Sequence, residues 1–127
     1  MAYSNAITIN HLGGRDYAIT IQETEAGAAT EATITGLPIK GQIVAQRAQL
    51  ISGTATTVDP VLGIATDPAS NFIDLILSNG TAGAGISNLA SPPIPYINST
   101  GSLYHRSVCD AGSDNTVTTV YLLKAGW

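Results

Sequence analysis

Two runs of β-branched and aromatic residues close the chain, and they constrain its fold more than any other feature. They are Leu103-Tyr104-His105-Arg106-Ser107-Val108-Cys109 and Asn115-Thr116-Val117-Thr118-Thr119-Val120-Tyr121-Leu122-Leu123, separated by Asp110-Ala111-Gly112-Ser113-Asp114. Such runs around a turn of Asp, Gly and Ser predict two antiparallel strands completing a sheet. The proline-stiffened Ser91-Pro92-Pro93-Ile94-Pro95-Tyr96 leads into them.

The rest of the chain repeats this style. Ala6 to Leu12 alternates Thr with Ile, Gly13-Gly14-Arg15-Asp16 breaks the run, and Tyr17 to Gln22 resumes it, which predicts two strands around a glycine turn. The acidic residues Glu23, Glu25 and Glu31 surround Gly27-Ala28-Ala29 and read as an exposed loop. Ala32 to Ile39 reads as a strand ending near Pro38, which cannot donate a ladder hydrogen bond. In Gln42 to Ile51, the residues Ile43, Arg47, Leu50 and Ile51 fall near one helical stripe, but no capping residue precedes them and Gly41 and Gly53 bound the run. A strand fits better. Asp59-Pro60 and Asp67-Pro68 are turn initiators on either side of a brief apolar crossing, Val61 to Ala65. Asn71 to Ser78 is the densest apolar run and reads as a central strand, and the uncharged, Gly- and Pro-rich Thr81 to Pro95 as a long connection. About eight strands with no helical period imply an all-β, eight-stranded antiparallel two-sheet sandwich of jelly-roll type. Residues 1–10 form an N-terminal strand or extended arm, and residues 11–127 a single β-sandwich domain.

A chain of 127 residues with 44% hydrophobic content can bury about two-thirds of its surface around one core without a staple. Its single cysteine, Cys109, excludes an intramolecular disulfide and reads as a core thiol. The five basic residues, Arg15, Lys40, Arg47, Arg106 and Lys124, are scattered singly against nine acidic ones. That pattern argues against a nucleic-acid partner, which needs clustered cations. No run approaches the length of a membrane span, and the first residues lack the pattern of a secretory leader. The expectation is a soluble chain made in a cytoplasm, with no membrane partner.

Candidate chemistry is thin. His11 and His105 lie in separate segments, and Cys109, four residues beyond His105 on one strand, would be about 13 Å from it, too far for a metal or a nucleophile pair. Glu23 and Glu25 would lie about 7 Å apart on one strand face, a spacing compatible with glycoside chemistry, although their Thr, Gly and Ala surroundings suggest an exposed loop. Asp74, inside an apolar run, is expected to face solvent. Gly83-Ala84-Gly85-Ile86-Ser87-Asn88 lacks the third glycine of a phosphate loop, and Asn79-Gly80-Thr81 and Asn98-Ser99-Thr100 read as chance matches to the N-glycosylation pattern. No catalytic residue, metal ligand or cofactor is assigned. Tyr96, Tyr104, Tyr121 and Trp127 could build a stacking platform for sugars.

The pattern Asp74-Leu75-Ile76-Leu77-Ser78-Asn79-Gly80-Thr81-Ala82-Gly83-Ala84-Gly85, then Pro93-Ile94-Pro95-Tyr96, then Gly101-Ser102-Leu103-Tyr104, then Asn115 to Tyr121, resembles the small jelly-roll cement or decoration proteins of tailed bacteriophage capsids. The resemblance covers about Phe72 to Trp127. It implies a virion protein, made in the host cytoplasm, that binds the outer surface of an assembled capsid and bridges capsomers. Its partners would be the major capsid protein and further copies of itself, as a homodimer or homotrimer. Tyr3, Ile7, Ile86, Leu89, Pro93, Ile94, Tyr96 and Trp127 are the candidate interface residues. A tail, neck or fibre-base component is the alternative in the same setting, and a carbohydrate-binding β-sandwich module is the alternative from another class.

Overall fold

A computed structural model describes the backbone of residues 2–64, 80, 81 and 86–126, with side chains placed for 2–64 and 95–126. The described strands are β1 (Ser4–Gly13), β2 (Asp16–Ala26), β3 (Thr30–Ile34), β4 (Lys40–Ser52), β5 (Thr57–Gly63), β6 (Gly80–Thr81), β7 (Ile86–Ile97), β8 (Leu103–Cys109) and β9 (Asn115–Ala125). One sheet runs β1-β2-β9-β4-β7 and the other β3-β8-β5-β6, and every pairing is antiparallel. Without β1, the orders β2-β9-β4-β7 and β3-β8-β5-β6 are those of two Greek keys wound into a jelly roll, as the sequence implies. The first strand is an addition at one edge.

Period-two alternation decides which side of each strand faces the core. On β9, flanked on both sides, Asn115, Val117, Thr119, Tyr121 and Leu123 are buried, whereas Thr116, Thr118, Val120, Leu122 and Lys124 point outward. On β8, Leu103, His105, Ser107 and Cys109 are buried and Tyr104, Arg106 and Val108 face out.

Four expectations are corrected. First, β2 runs on to Ala26 and β3 begins at Thr30, so Glu23 and Glu31 are strand residues and the loop shrinks to Gly27-Ala28-Ala29. Second, Asp59-Pro60 is no turn: both residues lie within β5, with Pro60 opposite Ser107. β6 pairs only with Thr57 and Val58, so at Pro60 the one described neighbour is β8, and the missing N–H breaks no described ladder. Third, much of the Thr81 to Pro95 connection is strand β7, whose prolines sit at the edge of the larger sheet. Fourth, the strand expected over Ala32 to Ile39 ends at Ile34. The run expected over Asn71 to Ser78, with Asp74, lies outside the described residues.

The interior divides into two apolar clusters. One holds Ile19, Ile21, Ile34, Ile43, Leu62, Leu103, Tyr121 and Leu123 among others, and the second holds Ala26, Ala48, Leu50, Ala55, Val58, Cys109 and Val117. Between them, on successive strands, stand the buried polar residues Glu23 on β2, Thr119 on β9, Gln46 on β4, and His105 and Ser107 on β8.

The end that holds the second cluster is tied by side chains that stand in for sheet hydrogen bonds. Asp110 accepts from Thr56 N–H, Thr56 Oγ1 and Thr57 N–H, and Asp114 accepts from Thr54 N–H and Oγ1. These bonds hold both carboxyls below their ordinary range. Buried Asn115 accepts from Ala55 N–H and donates to the carbonyls of Ala26 and Ala111. Gly53 lets the chain pass this knot: its φ is +127° and a Cβ there would lie 2.3 Å from Asn115 Oδ1. Gly53→Ala is therefore expected to destabilise the fold by about 2–4 kcal/mol in urea unfolding. A variant as stable as the parent would refute this packing.

Candidate functional site

The most concentrated polar chemistry is the interior group around Glu23. Its Oε1 accepts from Ser107 Oγ (2.5 Å) and His105 Nε2 (3.2 Å), and its Oε2 accepts from Tyr3 Oη (2.7 Å) and Thr30 Oγ1 (3.1 Å). Behind the imidazole, His105 Nδ1 lies 2.7 Å from the Tyr121 hydroxyl, and Nε2 is also 2.9 Å from Ser107 Oγ. One assignment of protons satisfies the whole chain: Tyr121 O–H donates to Nδ1 and Nε2–H donates toward Glu23. Four donors then converge on one carboxylate with no apolar gap.

Burial alone would raise the Glu23 carboxyl, but the hydrogen bonds from His105, Ser107 and Tyr3 outweigh it, hold the group below its ordinary range and keep it charged. Burial beside that charge pushes the phenols of Tyr121 and Tyr3 upward. It also pushes the Cys109 thiol up to about 11, with smaller contributions from the charges of Glu23 and Asp110.

The presence of Ser, His and Glu does not make this a nucleophile site. A serine–histidine pair needs its acid on the ring nitrogen remote from the serine, whereas here Ser107 and Glu23 share Nε2 and a phenol occupies Nδ1. His105, Ser107 and Glu23 are also fully buried. Glycoside chemistry at Glu23 and Glu25 fails on placement. Glu23 faces the core, while Glu25 (φ +56°) occupies the bulge where two steps of β9 oppose three of β2. Among the described residues, no group of three His, Cys, Asp or Glu side chains is placed to hold a metal ion.

A second surface lies outside. On the outward side of β3-β8-β5, the register sets Thr33, Tyr104 and Gly63 in one row and Glu31, Arg106 and Val61 in the next, followed by Val108 opposite Asp59. Tyr104 is partly exposed between exposed Thr33 on one flank and Gly63, which is itself buried, on the other. Arg106 donates from Nε (2.9 Å) and Nη2 to Glu31 Oε2. Partial burial raises the Asp59 carboxyl.

The four proposed stacking aromatics are thus not gathered. Tyr121 is locked in the interior, and buried Tyr96 donates its hydroxyl to the Pro38 carbonyl at 2.9 Å. Burial pushes the Tyr96 phenol up to about 12, helped by the charge of Tyr17. Trp127 lies outside the described residues, which leaves Tyr104. Of the candidate interface residues, Tyr3 and Ile7 are partly buried against the core clusters and Tyr96 is within one. Ile86, Leu89, Pro93 and Ile94 are on edge strand β7. His11 stacks on Tyr17 (centroids 4.6 Å apart) at the hairpin end of β1 and β2, and Asn98 Nδ2 is engaged by the carbonyls of Ile64 and Ser102.

No protein-family model matches the chain, and no curated protein matches it. Solved structures similar to it include the C-terminal family 22 carbohydrate binding module of Clostridium thermocellum Xyn10B, with a TM-score of 0.47 and 11% identity over 98% of this chain and 86% of that one. A xylan-binding domain from CBM 22 is similar at a TM-score of 0.46 and 11% identity, with the same coverages. Both are carbohydrate-binding modules, and neither is a capsid protein. The expected capsid-cement function and the major capsid protein as partner are corrected accordingly. A likeness this distant carries no residue-level argument, so the chemistry must come from the residues themselves.

Because folded Glu23 titrates below an unfolded glutamate at about 4.3, its contribution to stability is complete above that pH and is lost as pH falls through the lower folded value. Urea midpoints are expected to drop as pH is lowered below about 4. Glu23→Gln, whose amide opposes donors with donors, should lose at least about 2 kcal/mol at neutral pH and flatten that acid limb. An unchanged acid limb in the variant would show that Glu23 is not ionised in the fold.

Proposed function

We propose that this chain is a non-catalytic carbohydrate-binding β-sandwich module, whose ligand lies across Tyr104 on the outward face of β3-β8-β5. The observation that carries the reading is the row Thr33–Tyr104–Gly63 beside the Glu31–Arg106 pair. A phenol ring offers an apolar surface to the C–H face of a sugar, and its hydroxyl gives that surface a polar edge. About 7 Å along the strands, a guanidinium and a carboxylate set several donors beside acceptors, a combination that suits adjacent sugar hydroxyls. Because Arg106 and Glu31 neutralise one another, the face favours an uncharged polysaccharide over an acidic one.

The absence of catalysis belongs to the same proposal. The carboxylates of this face, Glu31 and Asp59, stand two strands apart with Cα atoms about 12 Å from one another, beyond the separations glycoside hydrolysis uses. Glu31 is further committed to Arg106.

Affinity electrophoresis through gels containing xylan, mixed-linkage glucan or mannan tests the reading. Wild type should be retarded by at least one of these, and Tyr104→Ala should bind it about tenfold more weakly without losing its fold. Equal retardation of wild type and Tyr104→Ala would move the ligand elsewhere, and migration unaffected by any sugar polymer would reject the function.

A further inference from the structure

The buried carboxylate and the outer face meet at the start of β3. Thr30 and Glu31 are consecutive, yet they serve opposite sides of the sheet. Thr30 Oγ1 donates inward to Glu23 Oε2 at 3.1 Å, and the Glu31 side chain pairs outward with Arg106. Tyr3 spans both. Its hydroxyl donates to Glu23 Oε2 at 2.7 Å and lies 3.3 Å from the Glu31 carbonyl, so one proton is held chiefly by the carboxylate and shared with the main chain of β3. Asn5 Nδ2, 3.4 Å away, approaches the same oxygen as a donor and fixes the direction of that proton.

We infer that Tyr3 is a positioning residue for the outward face: from behind β3 it clamps Thr30 and Glu31 to the buried Glu23 carboxylate, and so holds Glu31 in register with Arg106. The mechanical need follows from topology. β3 has five residues, lies at the edge of its sheet and has β8 as its one described ladder partner. Such a strand opens locally at little cost unless side chains tie it down. Arg106 is on the better-held side, because β8 pairs with both β3 and β5. Any movement between the pair therefore falls to Glu31. The half-buried Tyr3 ring also packs against the second apolar cluster, which separates its anchoring part from its hydrogen-bonding part. Tyr3→Phe keeps the first and removes the second.

The part of this inference that concerns ligand affinity rests on the sugar-binding reading, whereas the part that concerns β3 does not. Amide hydrogen exchange and the Arg106 Nε–H resonance are compared in wild type, Tyr3→Phe, Glu31→Gln and the double variant, with sugar affinity measured on the same four. In Tyr3→Phe, amides of residues 30–34 should exchange about tenfold faster while those of β9 keep their protection, and the Arg106 signal should shift toward its position in Glu31→Gln. Sugar affinity should fall in each single variant and fall no further in the double one, since both act through the same ion pair. Unaltered exchange in β3 with an unmoved Arg106 signal would overturn the inference, as would strictly additive losses of affinity. If the wild type binds no sugar, the proposed function fails, and the exchange and resonance data still decide whether the clamp exists.

Discussion

The Glu23 carboxylate is the interaction around which the two sheets are organised. An ionised group with no exposure is tolerated only when its lone pairs are filled, and here four donors arrive from three directions: the segment before β1, edge strand β3, and β8 of the opposite sheet. The consequence is specificity of alignment. Apolar contacts between sheets tolerate sliding, because one methyl group packs much like another. A carboxylate that must meet an imidazole and three hydroxyls does not. Replacing one strand of the set by a neighbour, or shifting one by a residue, would bury a charge without partners.

This polar belt also explains why the core is divided. Ile19 and Ile21 precede Glu23 on β2 and Ala26 follows it, and Leu103 precedes His105 and Ser107 on β8 while Cys109 follows them. The same order holds on β9, where Thr119 separates Tyr121 from Val117. One end of the sandwich is filled by large aliphatic and aromatic side chains. The other is small, and the Asp110, Asp114 and Asn115 clasps hold it where side-chain volume is short.

The sequence showed the strands better than it showed what lies between them. Alternation in Ala6 to Leu12, Tyr17 to Gln22 and Asn115 to Leu123 was readable because half of each strand is apolar and half is not. Glu23 is illegible for the same reason. A carboxylate among threonines carries the local signal of a solvated loop, and its partners His105 and Ser107 are 82 and 84 residues away, beyond the reach of any periodicity. The prolines are ambiguous in a related way: Asp59-Pro60 has the local signal of a turn but lies within β5, and Pro93 and Pro95 have that of a connection but lie on edge strand β7. Of the candidate stacking aromatics, Tyr104 and Tyr121 both lie in strands, and which of them faces out depends on strand parity relative to the core. The alternation of β8 and β9 decides it.

The inside and outside of the smaller sheet are thereby one construction: residues 103–109 send His105 and Ser107 to the carboxylate and Tyr104 and Arg106 to the surface. The most direct test of that arrangement as a binding module is a titration of the isotopically labelled protein with a soluble oligosaccharide, followed by amide and side-chain resonances. Saturable shifts confined to Thr33, Glu31, Tyr104, Arg106 and Val61 are the expected result. Shifts that map instead to the outward face of β2-β9-β4, or no shifts at all, would contradict it.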